Sequence, residues 1–212
     1  GLSLLKFLFM IIELLKNFNY YFSFFICSFL IILKFIFKKD RINYVIISIL
    51  ILFIFFLQAI IISYLQYLAF KNPLGKFLLP PYQPINYFLG YISYHYFKDL
   101  FLRLISGLIN LLIVISLNFL FKYSLFYSEE YKIIFLSSIL LSFPLNILIL
   151  PLGFLIITMF HLKNLIFNKT SMLEKISLKD YWLFICFFLI IINIMAINNI
   201  ILKADNFFNF MP

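Results

Sequence analysis

NYVIISILILFIFFLQAIIISYLQYLAF, residues Asn43 to Phe70, runs for 28 positions without a Lys, Arg, Asp or Glu. At 1.5 Å per residue about 20 apolar residues cover the ~30 Å hydrocarbon core of a bilayer, so this stretch is long enough to cross one with tilt. Its apolar residues are continuous rather than alternating, which excludes a strand with one wet face. In lipid every backbone donor needs an internal partner, and a helix supplies it. Working outward, Tyr20 to Phe37 reads as an earlier span, joined to this one through Lys38, Lys39, Asp40 and Arg41 as an antiparallel hairpin. Leu100 to Phe121, Ile133 to Phe160 and Tyr181 to Leu202 read as three more. The expected class is therefore all-α: a polytopic integral membrane protein forming one helical domain over residues 1–212, with five transmembrane helices at 20–37, 43–70, 100–121, 133–160 and 181–202. Leu2 to Leu15, interrupted by Lys6 and Glu13, is either the stump of a span or a helix lying in the interface.

Composition supports this class. The chain is 65% hydrophobic and 12% charged, against about 25% charged in soluble domains, and its mean hydropathy is +1.10. The 31 Phe with abundant Ile, Asn and Lys suggest an AT-rich coding sequence. A formal charge of +9 would point to nucleic acid in a soluble protein, but these lysines sit at the ends of apolar runs, so the expected partner is the lipid bilayer and no nucleic acid is expected. Cys27 and Cys186 lie inside apolar runs without zinc or redox spacing and read as small buried hydrophobes.

The connection Lys71 to Lys98 holds Pro73, Pro80, Pro81 and Pro84 and tyrosines from Tyr82 to Tyr96, the composition of an interfacial segment with irregular backbone. Pro144 and Pro151 fall within the fourth expected span, where each removes a backbone donor and is expected to kink the helix. Five crossings place nine Lys/Arg on the side of the N-terminus and six on the other, which predicts a cytoplasmic N-terminus and a C-terminus on the far side.

Two stretches resemble the DHHC protein S-acyltransferases, which palmitoylate cysteines at the cytosolic membrane surface. In LPPYQPINYFLGYISYHYF, Ile85, Asn86, Gly90, Tyr94 and Phe97 fall on positions matching the run that follows the family's catalytic box, with Tyr87 and Ser93 replacing Asn. In FHLKNLIFNKTSMLE, His161, Asn168, Thr170 and Ser171 are similar to the family's later signature, with Glu174 one residue late. Asn72 to Gly75, NPLG, is a third, weaker likeness. The resemblance implies that Tyr82 occupies the position of the family's nucleophilic cysteine, with Leu79, Pro80 and Pro81 in place of the rest of the box. Tyrosine, with a pKa near 10, is a poor acyl acceptor beside a thiolate. Six residues stand between Gly75 and Tyr82 where the family carries its zinc domain.

The resemblance thus implies a catalytically inactive, palmitoyltransferase-like scaffold or partner subunit, with no metal and no cofactor, in contact with acyl chains or acyl-CoA and with other membrane subunits. Two alternatives are a non-catalytic subunit of an organellar or bacterial membrane complex, and a palmitoyltransferase whose sequence here lacks the catalytic insert. His95 and His161 read as interfacial histidines, and Asn168-Lys169-Thr170 as a glycosylation sequon held away from the lumen. Arg103 is the costliest charge in the apolar runs; it lies four residues after Asp99, which predicts a snorkelling side chain or a local ion pair.

Overall fold

A computed structural model describes residues 2–35, 42–71, 76–121, 125–167 and 181–209. The described residues form helices and turns, with no strand among them. The helices are α1 (Leu2–Phe35), α2 (Tyr44–Phe70), α3 (Ile85–Ile92), α4 (Lys98–Leu120), α5 (Ser128–Leu140), α6 (Ile149–Phe167) and α7 (Tyr181–Asn209). A π turn, Ser93–Phe97, joins α3 to α4, so Ile85–Leu120 is one helical rod. Among the described residues, three helices are long and apolar enough to cross a membrane: Lys6–Phe35, Tyr44–Phe70 and Ile85–Leu120.

Three expectations need correction. First, Leu2–Leu15 is not separate from the first apolar run but continues into it. Lys16, Asn17, Phe18 and Asn19 contain no Pro or Gly to end a helix, and the modest propensity cost of two asparagines does not break one. Second, irregular backbone in the long connection stops at Pro84, and Ile85 onward is helical. The first prolines confine the irregular part, and beyond them Phe88, Ile92 and Tyr96 recur every four residues on one face. That face packs on α2: Phe88 lies 5.7 Å from Tyr67 and 5.8 Å from Phe70, and the Tyr96 hydroxyl donates to Gln66 Oε1 at 2.8 Å.

Third, residues 133–160 are not one kinked helix. Backbone at Leu141 turns extended (φ −85°, ψ 139°), and α5 ends at Leu140. Pro144 explains the stop, because it has no N–H to offer the carbonyl of Leu140 and its ring would collide with that carbonyl in a continuing helix. Pro151, by contrast, sits in the first turn of α6, where N–H groups have no intrahelical partner and their loss costs nothing.

The break reverses the chain. A continuous helix would separate Phe126 from Phe154 by about 42 Å, yet their rings meet edge-on at 5.7 Å. Along α4, Arg103 meets Leu140, Asn110 meets Ser138, and Asn118 meets Phe126, so α5 runs antiparallel to α4. Asn146 lies beside Ser106 and Asn110, whereas Phe154 has returned to the level of Phe126, so α6 runs back alongside α4. α5 and α6 form an inserted hairpin with its tip at 141–148. The 13 residues of α5 cover about 20 Å, short of the ~30 Å core.

The remaining helices wrap this hairpin. α7 starts near Phe126 and runs parallel to α5, with Trp182 beside Phe126 at 6.3 Å, Cys186 Sγ donating to Ser137 O, and Asn193 Nδ2 donating to Ser142 Oγ at 2.6 Å. α1 is antiparallel to α7: Phe24 stacks on Phe187 at 5.2 Å, and Cys27 Sγ donates to Leu183 O at 3.5 Å. α1 and α2 are antiparallel in turn, with Phe22 on Phe55 at 6.0 Å and the Gln58 amide donating to Leu15 O. From Ile133 onward α5 is enclosed almost all round: Ile133, Ile134, Leu136, Ser137, Ser138 and Ile139 are fully buried and Phe135 partly so. A helix segment enclosed in this way belongs to the interior of a bundle.

Candidate functional site

The buried face of α4 carries Arg103, Ser106, Gly107, Asn110, Val114 and Asn118, a stripe at helical spacing. Its polar members hold the backbone and side chains of the inserted hairpin at three depths. Arg103, 1% exposed, donates through Nη1 to Ile139 O at 3.1 Å and Leu140 O at 3.0 Å, while its Nε binds Asp99 Oδ2 at 2.7 Å. Those carbonyls are the ones a continuing helix past Phe143 and Pro144 would have satisfied, so the guanidinium caps the C-terminus of α5 and meets its negative dipole end. Deeper along the stripe, Asn110 Nδ2 donates to Ser138 Oγ at 2.9 Å and Asn146 O at 3.0 Å, and Asn146 returns a bond to Ser106 Oγ. At the far end Asn118 Oδ1 accepts from the N–H groups of Leu125 and Phe126 at 3.0 and 3.1 Å, and its Nδ2 donates to Phe126 O at 3.1 Å. Glu130 fixes the start of α5 by accepting from the Tyr127 N–H at 3.1 Å.

Backbone that leaves the helix inside a protein keeps its polar groups satisfied only where neighbouring groups bury it and supply partners. The α4 stripe does this for 141–148 through Asn110, which donates to Asn146 O, and Ser106, which accepts from Asn146. Tyr20 of α1 joins from the other side, and the Arg103 guanidinium lies over the rings of Phe55 at 5.1 Å and Tyr20 at 6.0 Å. The ion pair with Asp99 expected from sequence is present, but the side chain does not snorkel: it points inward as a cap.

Two cavities border this assembly. A polar one of about 340 Å³ lies between α1, α2 and the start of α4, lined by Lys16, Asn17, Asn19, Tyr20, Gln58, His95, Tyr96, Asp99 and Arg103 with Phe55, Ala59, Ile62 and Leu100. His95 enters it while resting on Tyr91, ring centroids 4.3 Å apart. An apolar groove of about 470 Å³ lies between α4 and the hairpin, lined by Leu102, Ile105, Ile109, Ile113, Phe143, Ile147, Leu150, Pro151 and Phe154 with Ser106 and Asn110.

Among the described residues that carry the acyltransferase resemblance, those of the first stretch lie away from His161. Asn86, Gly90 and Tyr94 share the exposed face of α3 and the π turn, and Tyr82 is exposed in the loop before it. His161 is on α6 just beyond Phe160, whose ring lies against Tyr181 at the opposite end of the bundle. Asn168, Thr170 and Ser171 lie outside the described residues. Sequence reading passed over Asn110, Asn118 and Asn146, although amide side chains placed seven and fifteen positions after Arg103 on an apolar helix were a visible signal.

Comparison with protein-family models, with curated proteins and with solved structures gives no match.

Proposed function

We propose that this chain is a non-catalytic, multi-pass membrane protein, a helical scaffold or partner subunit, that crosses the bilayer four times and carries α5–α6 as a re-entrant hairpin. The contact of Phe126 with Phe154 carries this reading, because it returns α6 to the end of the bundle from which α5 enters. Four crossings differ from the five expected from hydropathy: α1, α2, the Ile85–Leu120 rod and α7 cross, and both termini lie on one side. The polar side chains of α4 are engaged in holding the hairpin, which is a structural task.

The charge balance then reverses. Lys6, Lys16, Lys71, Lys76, Lys98 and Lys203 fall at the end that holds the termini. Lys34, Lys38, Lys39, Arg41, Lys122, Lys132, Lys163, Lys169, Lys175 and Lys179 fall at the other. Six against ten puts the hairpin entrance in the cytoplasm and both termini across the membrane. Asn168 stays cytoplasmic in this arrangement and unglycosylated. In a Cys27→Ala, Cys186→Ala background, Lys132→Cys and Lys163→Cys should react with an impermeant maleimide from the same side; reaction from opposite sides would restore a five-crossing chain.

A second reading, a palmitoyltransferase-like scaffold that holds acyl chains or acyl-CoA, is favoured by the apolar groove along α4. It expects retention of a labelled palmitoyl chain without a hydroxylamine-sensitive thioester, since both thiols are fully buried. Thioester label lost in Cys27→Ala or Cys186→Ala would contradict both readings.

A further inference from the structure

We propose that the polar cavity between α1, α2 and α4 binds a primary-amine phosphate headgroup, that of a phosphatidylethanolamine-type lipid; this rests on the membrane-spanning reading above. Polar atoms without a hydrogen-bond partner occur on three residues lining this cavity: Arg103 Nη2, Gln58 Oε1 and Asn19 Oδ1. Arg103 and Gln58 are 1% and 6% exposed. Buried polar atoms without partners are uncommon and call for a ligand or water. Two of the three are acceptors, and a third acceptor is at hand in Asp99, whose side chain is 40% exposed despite its bond to Arg103. Three acceptors match the three N–H groups of a primary ammonium. A choline head has no such donor, and an anionic glycerol head has no cation to offer Asp99.

The phosphate has its own partners in the same cavity. Lys16 and His95 are exposed side chains on its lining, contributed by α1 and the π turn. Lys16 is held over the Tyr96 ring at 5.3 Å. Depth agrees with a headgroup. α5 covers about 20 Å of a ~30 Å core, so Arg103 at its tip lies about 10 Å below the far headgroup level, and His95, eight residues earlier on the same rod, reaches that level.

The test is lipid retention by the full chain, purified from membranes containing phosphatidylethanolamine, phosphatidylcholine and phosphatidylglycerol and read by native mass spectrometry. Phosphatidylethanolamine should be retained about tenfold over the other two, the factor expected of one or two charge-assisted hydrogen bonds. Asp99→Asn and Gln58→Leu should each abolish the preference, whereas Lys98→Gln, whose ammonium lies over Tyr94 at 4.5 Å outside the cavity, should keep it. Lys16→Gln, on an exposed position, should weaken retention without affecting folding and covers the case in which the Asp99 variant does not fold. Equal retention of phosphatidylglycerol or phosphatidylcholine would overturn the proposal, as would a preference unchanged in Gln58→Leu or a retention unchanged in Lys16→Gln. Soluble phosphoethanolamine binding as well as the lipid would overturn the lipid assignment. Maleimide labelling at positions 132 and 163 on the same preparation reports the topology independently, so a failed headgroup site is not confused with a failed topology.

Discussion

The Arg103 guanidinium donates to the carbonyl of Leu140 at 3.0 Å, the carbonyl that Pro144 leaves without a helical donor. One side chain thereby compensates for a proline 41 positions further along the chain, and the inserted hairpin depends on it. Arg103→Leu removes the cap from two buried carbonyls and leaves Asp99 without its cation. The expected cost is about 3–5 kcal/mol, in the range for breaking a buried charged network. Arg103→Lys should recover only part of it, because an ammonium cannot bridge Asp99 and two carbonyls with the geometry of a planar fork. Thermal unfolding in detergent micelles, comparing the three proteins, measures this; equal midpoints would show that the cap is dispensable.

Asn110 holds the hairpin from the middle of the stripe through Ser138 and the Asn146 carbonyl. Asn110→Leu should cost about 1–2 kcal/mol, since interhelical polar bonds in membranes average well under that each and two are lost. Asn110→Leu combined with Ser138→Ala should cost less than the sum of the separate losses, as for residues sharing one bond.

Gly153 marks where α6 meets α7. A Cβ built there would stand 2.0 Å from Trp182 Cη2 and 2.2 Å from its Cζ3, inside the ring's own volume. Trp182 is fully buried beside Phe126, so the indole has no free direction to swing. Gly153→Ala should destabilise by about 1–3 kcal/mol, the range for overpacking. It should also move the emission of Trp182, the chain's single tryptophan, toward that of a wetter indole. An unchanged spectrum and midpoint would place α6 elsewhere.

Cys27 and Cys186, 159 positions apart, are both fully buried at the α1–α7 contact, where Cys27 Sγ donates at 3.5 Å to the carbonyl of Leu183, three residues before Cys186. A membrane-permeant oxidant or a short bifunctional thiol reagent should join them within one chain, giving a faster-migrating band on a denaturing gel that Cys27→Ala and Cys186→Ala each abolish. Separate labelling of both thiols without any joined product would exclude the α1–α7 packing.

Much of the helical content was legible in the sequence, because the apolar runs of α2 and α4 exceed the bilayer thickness and nothing else accommodates them. The path of the chain after α4 was not. Ile133 to Phe160 is as apolar as a span, and hydropathy gives the same sum whether a helix continues or doubles back. Pro144 and Pro151 both announced a disturbance, but only the partner of the Leu140 carbonyl tells a kink from a reversal, and that partner is on another helix. Arg103 was noticed as a costly charge and its bond to Asp99 follows from i, i+4 spacing; its bond to α5 could not follow from spacing at all. The proximity of the two cysteines was hidden for the same reason. The acyltransferase likeness rested on two stretches, of which the described parts, Tyr82 to Phe97 and Phe160 to His161, lie at different ends of the bundle.

That reversal is the claim on which topology, orientation and the apolar groove depend, and the two ends of the chain test it most directly. Small epitope tags on either side of residues 1–212, probed in sealed vesicles with and without permeabilisation, should report the same side, the one opposite the Lys132 and Lys163 positions. Tags that report opposite sides would contradict the re-entrant hairpin and make residues 133–160 a full crossing.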